Sequence, residues 1–222
     1  MSEQGANDAT RASTFTRTLH RTPASGLSPH ANTLPPGLNV LVIGASRGIG
    51  ASMACAYACA GAATLILAAR SSSGAALAAV AEQVRAESRD AGTTTTTVLT
   101  ETIDITSSDS MAQLAARVKQ ATQGKLDIVV FNSGYSGPIV KRVEEGDPRD
   151  FHAVFDVNVQ DLTDDVKLCG AFCVWLSREK RMWLSGRLLS ATWDVDELLE
   201  KKDQIQEQDL LKFGYRVGGG NA

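Results

Sequence analysis

Seven residues, Gly44-Ala-Ser-Arg-Gly48-Ile-Gly50, constrain this chain more than any others, because of what stands on either side of them. Before them lies Asn39-Val-Leu-Val-Ile43, a short apolar run of the kind that forms a buried parallel strand. After them comes a helical pattern, Gly48 to Ala60, with Ile49, Met53, Tyr57 and Ala60 on one face and Gly61 as its stop. Three glycines in a strand–turn–helix setting each have work to do. The first permits a tight turn, the second lets backbone approach an anion, and the third lets helix pack on sheet. The start of the helix adds unpaired N–H groups and a partial positive charge, which together attract phosphate oxygens.

The alternation then repeats. Ala63–Ala69 is apolar and strand-sized, and 74–90 carries Leu77, Val80, Ala81 and Val84 at helical spacing, with Gly92 following. Thr94–Ile103 is β-branched. Ser107 or Ser108 can cap a helix whose face is Met111, Leu114, Ala115 and Val118, and Leu126–Phe131 is apolar throughout. Strands alternating with helices of this length predict an α/β fold, a doubly wound parallel sheet covered on both faces. Beyond Phe131 the rhythm degrades. Asp150–Leu162 and Asp164–Arg178 read as helices, the second apolar nearly all round. Gly186–Trp193 reads as a last strand, and Asp194 caps a helical tail, Val195–Leu211. The organisation expected is a tail without structure over 1–37, rich in Ser, Thr, Ala and Pro; a domain over 38–193; and a helical tail over 194–222.

Composition narrows the function classes. A net charge of −3 gives no electrostatic ground for a nucleic-acid partner. No apolar run approaches the length of a membrane span. Glu3 and Asp8 exclude a secretory signal and count against a mitochondrial reading of Arg11, Arg17 and Arg21, so a cytoplasmic location is expected. The cysteines fall as Cys55/Cys59 and Cys169/Cys173, each pair spaced by four. With no loop knuckle or histidine nearby, small buried core residues are the better reading than a metal site.

The spacing Gly44-x-x-x-Gly48-Ile-Gly50 resembles the short-chain dehydrogenase/reductase family, and further motifs follow in order. Asp104-Ile105 resembles the pair that holds adenine in that family. Asn132-Ser133-Gly134 resembles its Asn-Ala-Gly motif, which lines the cofactor, and Asn158 resembles the helix asparagine of its catalytic tetrad. The resemblance implies a Rossmann-like sheet that binds a nicotinamide dinucleotide through Gly44, Ser46, Arg47, Gly48, Ile49, Gly50, Arg70, Asp104, Ile105, Asn132 and Gly134. It also implies a small carbonyl or alcohol as substrate, in the manner of fungal specialised metabolism. A carboxylate roughly 20 residues past the last glycine would select NAD. Arg70 stands there instead, and with Arg47 it favours NADP.

The chemistry of the family needs a tyrosine with a lysine four residues on, which lowers the phenol's pKa from about 10. None of the three tyrosines qualifies: Tyr57 is followed at that spacing by Gly61, Tyr135 by Ile139 and Tyr215 by Gly219. Segments 170–176 and 186–199 resemble the carboxy-terminal part of fungal members, so an internal block is expected to be missing near Gln160–Asp161, and the sheet to be truncated after its fourth strand. Arg187–Trp193 is expected to fill the strand slot so exposed. Three readings stay open: an NADP-dependent carbonyl reductase or alcohol dehydrogenase by descent, an inactive NADP(H)-binding or interaction protein, and a mis-spliced product; Tyr135, with Lys141 or Lys167, is the residue that could stand in for the missing tyrosine.

Overall fold

The computed structural model describes residues 15–92, 96–134 and 166–212. Four parallel strands, β1 (Asn39–Ile43), β2 (Thr64–Ala69), β3 (Thr97–Thr102) and β4 (Ile128–Phe131), lie in the order β3-β2-β1-β4. Three helices connect them: α1 (Gly48–Cys59), α2 (Gly74–Asp90) and α3 (Ser108–Ala121). A fourth, α4 (Val166–Arg178), and two short ones, α5 (Val195–Glu200) and α6 (Lys202–Glu207), follow. The strand register runs Leu41 beside Ile66 and Val129, and Ile43 beside Ala68 and Phe131.

Because side chains alternate along a strand, each face collects its own core. Val40, Val42, Leu65, Leu67 and Val98 meet α1, α2 and Val174 of α4. Leu41, Ile43, Ile66 and Ala68 meet Leu114 and Val118 of α3 on the other side. The sheet is therefore doubly wound, as the alternation requires. The apolar face of α2 is buried as its spacing implies (Leu77, Val80, Ala81, Val84). Along α3 only Leu114 and Val118 are buried, whereas Met111 and Ala115 face solvent. No described element packs beyond them on that side. Helix α1 is buried nearly all round, since α4 lies close against it. Gly170 makes this approach feasible, because a Cβ there would sit 3.0 Å from both the Ala56 Cβ and the Ser52 carbonyl oxygen.

Three expectations are corrected. Arg187–Trp193 does not extend the sheet; among the described residues β4 is its edge. The hydrogen-bonding groups of that segment are used elsewhere. The Leu188 N–H donates to the Leu211 carbonyl at 2.8 Å, and Arg187 donates to the Trp183 carbonyl at 2.8 Å and pairs with Asp209 at 3.1 Å. Nor is the amino-terminal segment without structure from residue 15 on. Leu27 is fully buried with Trp193, Leu198, Ile205 and one side of α4 in a second apolar cluster, and Phe15 lies 5.2 Å from Trp193 ring to ring. Glu197 accepts from the backbone N–H of Arg17 at 2.5 Å and of Thr18 at 3.2 Å. The expected helix Val195–Leu211 breaks into α5 and α6 at Lys201.

At this edge of the described sheet Val129 is 54% and Phe131 60% exposed on the face opposite α1. Replacing both with threonine is expected to change stability by no more than about 0.5 kcal/mol, as for surface positions, while lowering light scattering from aggregates at high concentration. Unchanged aggregation would show that this edge is not its source. A second expectation concerns Asp194, whose carboxylate accepts from the N–H groups of Asp196 at 3.1 Å and Glu197 at 2.9 Å and caps α5. Those bonds and His20, 2.8 Å away, hold its pKa below the ordinary value. A depressed folded pKa means the stabilisation is present above the usual carboxylate range and lost as pH falls through and below it. Asp194→Ala is expected to cost about 1 kcal/mol at neutral pH, with the difference from wild type shrinking in urea titrations run at progressively lower pH below that range.

Candidate functional site

The sheet order reverses between β1 and β4. Beta1 leads through α1 to β2 on one face, while β3 reaches β4 through α3 on the other. The carboxyl ends of these two strands therefore open a crevice, the usual ligand position in an open α/β sheet. The seven-residue glycine turn runs from the end of β1 into α1 at this place.

Two of its glycines are needed for packing. Gly44 has φ +87°, and a Cβ there would lie 2.6 Å from the Asn132 carbonyl oxygen. At Gly50 a Cβ would collide with the Gly44 carbonyl and lie 2.8 Å from the Asn132 side-chain nitrogen. Asn132 itself is held by its N–H, which donates to the Ile43 carbonyl at 2.9 Å. Turn, strand end and asparagine thus form one interlocked unit. Gly48 differs. It has φ +57°, but no described residue lies within 4 Å of where its Cβ would be. The space in front of it is open, beside the first N–H groups of α1, and exposed Arg47 is the helix N-cap with extended backbone. A phosphate fits such a cradle, both in room and in charge. Ser46 and Ile49 are half-buried around it.

Arg70 and Asp104 come together at the next strand ends, where β2 and β3 stop in register at Ala69 and Thr102. Both are exposed. The Asp104 carboxylate accepts from the Thr106 hydroxyl at 2.7 Å and the Thr106 N–H at 3.0 Å, and its own N–H donates to Ser110 at 2.9 Å. The Thr106 bonds, with a further pull from the Arg70 charge, hold its pKa below the ordinary value. Ile105 packs under the sheet. Thr106 and Ser110 were not singled out from the sequence. The Asp-x-Thr spacing, which lets a carboxylate bond the backbone two residues on, is the signal that marks Thr106. Gly134 is exposed at the end of the described stretch, and Asn158, Tyr135 and Lys141 lie outside the described residues.

Tyr57 is the tyrosine that the described residues contain. It is 1% exposed between α1 and α4, its hydroxyl 2.9 Å from Ser177 Oγ. Burial drives its pKa well above the ordinary value. A phenol so placed faces no crevice and holds its proton. The thiols behave alike: burial pushes Cys55 and Cys59 up to about 11 and Cys173 to about 12. Among the described residues no group of three or more His, Cys, Asp or Glu side chains could hold a metal ion.

Comparisons with known proteins agree with this geometry. Residues 38–169 match the short chain dehydrogenase family. The short chain dehydrogenase pgmD of Aspergillus terreus is 27% identical, over 91% of this chain and 94% of its own length. The short chain dehydrogenase mpl6 of Monascus purpureus is 30% identical, over 79% of this chain and 88% of its own. The stretch shared with pgmD is 298 positions long, more than the 222 residues of this chain, so the relative carries positions that have no counterpart here. Among solved structures, a short-chain type dehydrogenase/reductase from Mycobacterium marinum is 28% identical with a TM-score of 0.45; the match covers 70% of this chain but only about half, 53%, of that one. On the family match and the pairing of its glycine turn with a doubly wound parallel sheet, this chain belongs to the short chain dehydrogenase family.

Proposed function

We propose that this chain binds NADP(H) at the β1–α1 turn and, lacking the Tyr-x-x-x-Lys pair, holds the dinucleotide without the hydride transfer of its family. The observation that carries the binding half is the open cradle in front of Gly48, flanked by two glycines that packing alone requires. The Gly44–Gly50 backbone would take the pyrophosphate, with Ser46 and Ile49 shaping the turn. Arg47 and Arg70 would take the extra ribose phosphate, since a guanidinium suits that dianion and no carboxylate occupies the position that would select NAD. Asp104 and Ile105 would border the adenine, and Asn132 and Gly134 the nicotinamide end. The nicotinamide, when bound, gives or accepts a hydride; the rest of the reaction needs a proton donor from the protein. No tyrosine in the chain has a lysine four residues on, and Tyr57 is locked between two helices. Asn158 would be the remaining member of the catalytic set.

A second reading, a working reductase of a small carbonyl or alcohol, is favoured by similarity to named dehydrogenases over 91% of the chain. NADPH fluorescence titration separates the possibilities. Saturable enhancement with the purified chain is expected, and an affinity for NADH weaker by on the order of tenfold, the worth of one charge-assisted contact. Arg70→Asp is expected to erase that preference. Absence of enhancement and of thermal stabilisation would remove the binding assignment, and steady NADPH oxidation with a reactive ketone or quinone would replace the inactive reading with the second one.

A further inference from the structure

Arg181 follows the last turn of α4 and is buried to an unusual degree for an arginine. Its side chain is 6% exposed and lies over the Trp175 ring at 4.0 Å, with Trp175 stacked in turn on Phe172. Its Nε and Nη1 have no hydrogen-bond partner, and neither has the buried Nε of Arg178, one turn earlier. The carboxylate that reaches them is that of Glu179, itself 60% exposed, 3.0 Å from Arg178 Nη2 and 3.6 Å from Arg181 Nη1. Burial lowers the Arg181 pKa, and the Arg178 charge adds to this against the opposing pull of Glu179. A guanidinium does not shed its proton at accessible pH. Two cations and three unmet N–H donors thus share one exposed carboxylate. Buried donors without partners are costly, and a native chain that keeps several together calls for an ion or other acceptor that meets them.

We infer that the carboxyl end of α4 is a second anion site, in which Arg178 and Arg181 bind a small oxyanion, either a phosphate group or a carboxylate. This site is separate from the glycine turn and does not rest on the dinucleotide reading. Gly170 of α4 meets Ser52 and Ala56 of α1, and Cys173 and Ser177 meet Tyr57. The two helices therefore run side by side in one direction, and Arg178 stands at the end away from Gly44–Gly50. Trp175 supplies the apolar floor that keeps water from competing, which strengthens a guanidinium–oxyanion bond.

The test is nitrogen-15 NMR of the arginine Nε–H groups in the full chain, titrated with inorganic phosphate, with acetate, and with chloride at matched ionic strength. The Arg178 and Arg181 signals are assigned by their loss in Arg178→Lys and Arg181→Lys. Saturable shifts of both with phosphate or acetate, but not chloride, are expected, and the arm that saturates names the source. In Arg181→Lys, the Arg178 signal is expected to report an affinity weaker by on the order of tenfold. Signals that stay still in all three titrations, or drift equally in chloride, would overturn the site. Reading the wild-type chain keeps the test decisive even where a variant folds poorly, and the local readout separates it from phosphate at the glycine turn.

Discussion

Gly50→Ala is expected to cost about 3 kcal/mol or more, at the upper end for overpacking because backbone rather than a pliable side chain stands in the way. The added methyl would meet the Gly44 carbonyl and the Asn132 amide, and both are pinned. Gly44 sits at φ +87°, and Asn132 is tied to Ile43 by its N–H. Relief would require the turn to move away from β4, and with it the start of α1. A melting temperature lower by about 10 °C is the expected reading for a chain of this size. Gly48→Ala provides the contrast. Its methyl points into open space, and the φ of +57° adds only about 1 kcal/mol of strain. The fold is therefore expected to survive; under the proposed NADP(H) binding, the methyl would occupy the phosphate cradle and NADPH affinity would fall on the order of tenfold. Equal melting temperatures for wild type and Gly50→Ala would mean that the interlock of turn and Asn132 is not as described.

Trp193→Ala is the second large effect expected, about 3–5 kcal/mol for emptying a buried aromatic site. Trp193 is 3% exposed, lies against Phe15, and shares its cluster with Leu27, Leu198 and Ile205. It therefore joins the segment before β1 to the segment after α4. Loss of its ring should release both together, so hydrogen exchange is expected to rise around Leu27 and in α5 in the same variant. Trp193→Phe is expected to cost under about 1.5 kcal/mol, because the indole N–H is buried without a partner and its removal sheds a desolvated donor. Exchange that rises at α5 while Leu27 stays protected would separate the two segments and contradict a shared cluster.

How far each feature was legible follows from the range of the interactions that make it. The glycine turn and the strands beside it could be read from the sequence because their determinants are local: glycine at fixed offsets, apolar runs of strand length, and caps such as Ser107, which accepts from the Ser110 N–H at 3.3 Å. The burial of α4 was legible too, since Leu168, Cys169, Phe172, Cys173, Trp175 and Leu176 spread apolar side chains nearly all round it. Gly186–Trp193 was not. Its Leu188-Leu189 and Thr192-Trp193 fit a strand, but strand pairing is a long-range contest, and the side chain of Arg187 and the ring of Trp193 find partners at Asp209 and Phe15. Residues 15–34 look like a tail because their apolar residues are few and aperiodic. One of them, Leu27, nevertheless fills a hole that only the folded carboxy-terminal segment creates.

The residue order by itself determined the family turn, the parallel alternation and the lack of any tyrosine with a lysine one helical turn beyond it, all properties of neighbours along the chain. Tertiary structure alone decided that Gly44 and Gly50 serve packing while Gly48 faces open space, that β4 ends the described sheet, and that Arg181 is buried over Trp175. These depend on which surfaces meet across long separations, and burial and steric contact are set by that meeting rather than by sequence spacing.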